Sequence, residues 1–152
     1  MESIIFRSAL LSDVPAIVAL LADDELGSQR EAIGVPLDPG YVAAFQAIEA
    51  DANQRLVVVV DGSEVIGTLQ LSFIPGMARK GAWRGQIEAV RIATHRRDVG
   101  LGERMFKWAI SECRSRGCHL VQLTTDKSRV DAHRFYEKLG FVASHEGYKL
   151  AL

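Results

Sequence analysis

Three places in this sequence carry residue types that can act on a ligand. The first is the run Arg97-Asp98-Val99-Gly100-Leu101-Gly102, which follows a β-prone stretch and opens a helical one. Glycines at such a junction let the backbone turn sharply and approach a ligand closely. The first amides of a helix have no internal partner, and the macrodipole favours an anion in front of them. A diphosphate is the natural ligand of that arrangement. The run matches neither the GxxxxGK[ST] loop nor the GxGxxG fingerprint. The second place is Glu88, a carboxylate inside the otherwise apolar strand 86–92, where strand alternation sets it on one face with Val90 and Ile92. The third is Tyr136, a hydroxyl within Asp131–Phe141 (DAHRFYEKLGF). Each has a plainer use as well: a turn at the glycines, a solvent-facing Glu88 or one paired with Arg91 or Arg84, a core aromatic at Tyr136.

These residues need elements to hold them, and the pattern supplies a β α α β β β α β α β β order. Ile4–Arg7 is a short β-prone start. Ser12-Asp13 ahead of Val14-Pro15 is a cap followed by a first-turn proline, and Ser12–Ala22 has helical spacing. Segment 23–40 is polar and punctuated by glycine and proline, which suits a functional loop or a broken short helix. Tyr41–Ala52 is helical again. Arg55–Val60 is a continuous β-branched strand, Asp61-Gly62 a hairpin turn, and Val65–Phe73 the return strand. Strand 86–92 leads to the glycine run and to a helix over Gly100–Arg116, closed by Gly117. His119–Thr125 is expected as a strand, Val130–Leu139 as a helix, and Phe141–Leu152 as a last pair of short strands.

Composition narrows what such a chain can be. Its 152 residues suit one domain, 1–152, and bury roughly two thirds of their unfolded surface without a staple. With 48% hydrophobic and 24% charged residues it is neither disordered, collagen-like nor a coiled-coil rod. The net charge of −1 offers no field for nucleic acid or an anionic membrane, so neither partner is expected. Cys113 and Cys118 have no metal-ligand spacing, and reduced thiols suit an intracellular protein. No metal is expected. The first residues lack a signal peptide's basic start and apolar core, and no run approaches a membrane span. A cytoplasmic location follows as the expectation.

RxxGxG at 97–102, then a helix and a strand, then A-x-x-F-Y-E-K-L-G-F at 132–141 resembles the GNAT superfamily of acetyl-CoA-dependent N-acetyltransferases. The resemblance covers nearly the whole chain. It implies an α/β GNAT fold: a mixed, mostly antiparallel sheet flanked by helices, with a parallel strand pair, 86–92 and 119–125, splayed into a V-shaped cleft. It implies acetyl-CoA as cosubstrate, its pantetheine arm along the backbone of Val90 and Ile92. The pyrophosphate would lie on the amides of Arg97, Asp98, Val99, Gly100, Leu101 and Gly102. Glu88 matches a strand carboxylate used as general base, directly or through water. Tyr136 matches the tyrosine that protonates the departing thiolate. Arg129 departs from the family, which often has asparagine there.

The chemistry asks for such groups. An amine must lose a proton before it attacks a thioester, and the oxyanion needs a donor such as the Val90 amide. The acceptor implied is a primary amine on a small molecule, an amino acid derivative or a protein. A homodimer is compatible with the fold, and a non-catalytic acyl-CoA-binding module is the rival reading.

Overall fold

The computed structural model describes residues 3–97 and 100–152. They form two compact units, Met1–Gln122 and Leu123–Leu152. The first holds a single sheet of β1 (Ile4–Ser8), β2 (Gln54–Asp61), β3 (Glu64–Ile74), β4 (Arg84–Ile92) and β5 (Leu120–Gln122), side by side in that order. The first four strands run antiparallel, and β5 lies parallel to β4. Its helices are α1 (Val14–Ala22), α2 (Gly27–Arg30), α3 (Pro39–Ala50), the short turn α4 (Ala78–Gly81) and α5 (Leu101–Ser115). This is the mixed, mostly antiparallel α/β sheet that the sequence implies.

Alternation along β2 explains why its four consecutive valines are all buried: the sheet is covered on both faces. Val58 and Val60 share a core with Val14, Ile17, Val18 and Phe45 of α1 and α3. Val59 pairs with Phe6 and Gly67, and these belong to the other face, under α5. Phe6 stacks on Trp108 at 5.1 Å between ring centroids. Gly67 leaves room for the Met105 thioether, since a Cβ there would lie 3.1 Å from its Sδ. Arg55 and Arg116 lie over Trp108 and Phe73, their stems shielding the rim of this layer.

Segment 23–40 contains the single turn α2, in keeping with the broken short helix expected there, with Asp24 accepting the Gly27 N–H at its start. The structure departs from the sequence expectations at three other points. The strand expected over 119–125 is limited to Leu120–Gln122, because only those residues find partners on β4. Residues 141–152 form no strand, where a last pair of short strands is expected. The third departure concerns strand parity at Glu88. Gln70 pairs with Glu88 and Gly67 with Ile92, so β4 has one residue more than β3 in that interval. The extra residue is a bulge at Ala89, left-handed at φ 53°. Glu88 and Ile92 therefore project from opposite faces, and the shared face expected from alternation does not exist.

The second unit contains α6 (Val130–Lys138), capped by Arg129 and stopped at Gly140 in a left-handed conformation. Phe141 N–H returns to the Tyr136 carbonyl at 3.0 Å.

Candidate functional site

A bulge in β4 and the early end of β5 together open the sheet. The parallel ladder stops at Gln86 with Gln122, so Ile87–Ile92 has no β5 partner among the described residues. Val90 and Ile92, the two residues that the resemblance sets against the pantetheine arm, lie along that edge. Both residues are half-buried. Their carbonyls are engaged by arginines: Arg91 Nη1 donates to Val90 O at 2.9 Å, and Arg97 Nε to Ile92 O at 3.2 Å. Arg97 also donates to Asp23 O at 3.3 Å, tying the start of the glycine run to the end of α1.

Beyond Arg97 the chain reaches Gly100, the N-cap of α5, at φ 78° and ψ 6°. This left-handed conformation is why glycine stands there, since a Cβ would meet nothing within 4 Å. Conformation, not space, is the constraint. Among the described residues Arg104 N–H closes a helical turn on Gly100 O at 3.2 Å, and Leu101 and Gly102 are the first two residues of α5. An anion in front of α5 would meet them. Asp98 and Val99, also expected in this cradle, lie outside the described residues.

Glu88 is exposed. Its Oε1 accepts from Gln86 Nε2 at 3.3 Å, and Gln86 Oε1 accepts from Gln122 Nε2 at 3.0 Å. On the neighbouring strands Gln54 Oε1 accepts from Gln70 Nε2 at 3.1 Å and from Ser72 Oγ at 2.9 Å. Cross-strand pairing puts Gln54, Ser72, Gln86 and Gln122 in one row, with Gln70 and Glu88 in the next. The result is a polar floor with one carboxylate at its edge. Of the plainer uses of Glu88 the structure has the solvent-facing one and neither ion pair: Arg91 pairs instead with Asp24 at 3.0 Å, and no partner of Arg84 is seen among the described residues.

The structure thus brings Glu88, Val90, Ile92, Arg97, Gly100, Leu101 and Gly102 into one unit, while Tyr136 belongs to the other. Within its unit Tyr136 is half-buried and packs edge-on against Phe135 and Phe141, with centroids 5.6 and 6.1 Å away. Sequence reasoning missed the glutamine row, although Gln70 with Ser72 and Gln86 with Glu88 are polar residues two apart on their strands, which is a period-two signal. It also missed the Ala89 bulge, because a left-handed alanine has no composition cue. Among the described residues no three metal-ligating side chains gather, and no helix is long and apolar enough to cross a membrane.

Comparison with known proteins follows this geometry. A model of the acetyltransferase (GNAT) family matches residues 19–141. An aminoalkylphosphonate N-acetyltransferase of Salmonella typhimurium is 28% identical over 149 residues, 96% of this chain and 90% of that one. A crystal structure from Bacillus halodurans, described as a transcriptional regulator, is 47% identical with a TM-score of 0.95, covering 98% of this chain and 99% of its own. A protein of Clostridium acetobutylicum, described as a predicted acetyltransferase with acetyl-CoA, shares the fold at 20% identity and a TM-score of 0.75. It covers 97% of this chain and 96% of its own.

Proposed function

Because the chain belongs to the GNAT acetyltransferase family, we propose that it moves an acetyl group from acetyl-CoA to a primary amine on a small molecule. The observation that carries this reading is the open edge of β4, leading from the bulge at Ala89 to the left-handed Gly100 and the first amides of α5. That path suits a ligand with an extended arm and a diphosphate, and the residues present fit acetyl-CoA. Acetyl-CoA supplies the activated thioester. Glu88 takes the proton that the ammonium of the acceptor must lose, directly or through water. The Val90 amide or its neighbour donates to the developing oxyanion. Tyr136 supplies the proton that the leaving sulfur needs.

The Salmonella relative, named for aminoalkylphosphonates, supports a small amine as acceptor. A net charge of −1 supports it too, against a nucleic-acid partner. The test is release of free thiol from acetyl-CoA with a panel of small amines, aminoalkylphosphonates among them, by the wild-type chain and by Glu88→Gln. Amine-dependent release is expected, falling by about 10²–10⁴ in the variant with the acidic limb of the pH–rate profile lost. No release with any amine, while CoA still binds, would favour the non-catalytic module. A variant as fast as the wild type would return Glu88 to being a strand carboxylate.

A further inference from the structure

We propose that Asp61 and Arg96 are a positioning pair, which sets the turn ahead of the glycine run and so tunes the affinity for the diphosphate of CoA. The proposal rests on the acetyl-CoA reading above. The pair joins two places far apart in sequence. Asp61 ends β2 at the hairpin turn, and Arg96 closes the single turn Thr94–Arg96 that follows β4. Arg96 Nη1 and Nη2 both donate to Asp61 Oδ2, at 2.9 and 2.7 Å. Both side chains are half-buried, and Ser3 Oγ donates to the other oxygen of the same carboxylate. Arg96 precedes the N-cap Gly100 in the chain, so the contact lies on the approach to α5.

The hairpin has a physical need for this partner. Asp61 stands directly opposite Glu64 across the turn, and like charges at facing positions of a strand pair repel. The turn after β4 supplies a donor for each carboxylate. Arg96 meets Asp61, and His95 Nε2 lies 2.7 Å from Glu64 Oε1. Two acids on one turn thus meet two consecutive basic side chains on another. The end of α1 holds the same segment: Thr94 Oγ1 donates to Asp23 Oδ2 at 2.7 Å, and Arg97 Nη2 to Asp23 O at 3.3 Å. Every side chain from Thr94 to Arg97 is therefore engaged within the chain.

Among these ties the Asp61–Arg96 pair is the best sheltered. Its side chains are 24% and 30% exposed, whereas His95 and Glu64 are 60% and 51% exposed. A partly exposed ion pair adds little to global stability, but this one selects among conformations of a short connection. Apparent affinity scales with the fraction of free molecules that already have the binding geometry. Gly100, left-handed at φ 78°, sets the exit of the connection into α5. Asp61 sets its entry. The role is preorganisation, and it requires no contact between Asp61 and the cofactor.

Calorimetric titration of the full chain with CoA tests this on the wild type, Asp61→Asn, Arg96→Gln and the charge exchange of Asp61→Arg with Arg96→Asp. Each single variant is expected to bind CoA about tenfold more weakly, with a melting temperature close to that of the wild type. The exchange should recover most of the loss. In the thiol-release assay the KM for acetyl-CoA should rise while kcat and the KM of the amine hold. If a single variant fails to fold, Arg96→Lys replaces it: charge is kept, the two-pronged contact is lost, and an intermediate loss is expected. Folded variants with wild-type CoA affinity would overturn the proposal. So would a folded charge exchange that recovers nothing, or losses that merely follow a falling melting temperature. A wild type that binds no CoA is a different result, which removes the acetyl-CoA reading and this proposal with it.

Discussion

Asp13 shows how much one side chain can settle. It sits 8% exposed at the joint between β1 and α1, its carboxylate accepting Arg7 Nη1 at 2.7 Å, Arg7 Nη2 at 3.1 Å and the Leu10 N–H at 2.7 Å. The Arg7 guanidinium holds the Asp13 carboxyl below the usual range, against the opposing effect of burial. A depressed folded pKa stabilises the protein above the unfolded value near 3.8 and ceases to do so as pH falls through the folded value. Asp13→Asn should cost about 1–3 kcal/mol at neutral pH, since Arg7 and the Leu10 amide lose a charged acceptor. Urea titrations should show that deficit shrinking below pH 4; a constant deficit would mean the loss is one of packing. Tyr136→Phe works at the same scale on the proposed reaction. It keeps the ring contacts with Phe135 and Phe141, so acetyl-CoA affinity should hold. The single-turnover chemical step should slow by about 10²-fold. An undiminished step leaves Tyr136 a packing residue. The roles proposed for Glu88 and Tyr136 come from motifs that resemble a family's. No residue type alone would have separated Glu88 from an ordinary strand carboxylate, and its glutamine neighbour Gln86 is polar without being a motif.

Elements obey backbone pairing, and sequence reveals pairing only where side chains alternate or turns are marked. The hairpin at Asp61-Gly62, the meander β2–β4 and helices α1, α3, α5 and α6 were all readable, because glycine, proline and apolar spacing mark their ends. The ends of β5 were not, since a strand's length depends on its neighbour. Nor was the bulge, because alanine at φ 53° gives no sign of itself. Two glycines separate conformation from space. Gly100→Val imposes a β-branched residue on a left-handed N-cap with open space around it. The expectation is a folded protein with CoA affinity lowered at least tenfold, because the turn in front of α5 must reshape. Calorimetry showing unchanged affinity would remove the cradle from this loop. Gly85→Ala has the opposite character: its Cβ would collide with Cys113 Sγ under α5. It should lower stability by about 1–3 kcal/mol through overpacking, and a variant as stable as wild type in urea would show that α5 can shift to accommodate it.

Across the whole molecule the two faces of the sheet differ in kind. Under α5 the layer is dry: Met105, Ala109 and Cys113 are fully buried against Leu69, Leu71 and Ile87. On the opposite face the apolar core under α1 and α3 gives way to the glutamine row beside Glu88. Chemistry is proposed for the wet half, and the dry half holds the sheet in place for it. Cys113 reports on the dry half. Burial pushes its thiol up from about 9 to about 11, because a thiolate in that layer would be unsolvated. The proton is thus held more tightly in the folded chain than in the unfolded one. The thiol's contribution is fully present below about pH 9 and is lost as pH rises toward 11. Stability should fall by on the order of 2 kcal/mol across that window. Below it, the two thiols should label differently with an aromatic disulfide reagent: half-buried Cys118 promptly, buried Cys113 only as fast as the chain opens. The Cys113 rate should rise with urea in step with global unfolding. A Cys113 that labels as quickly as Cys118 in the native protein, or a stability flat from pH 9 to 11, would mean that the layer beneath α5 is open to water.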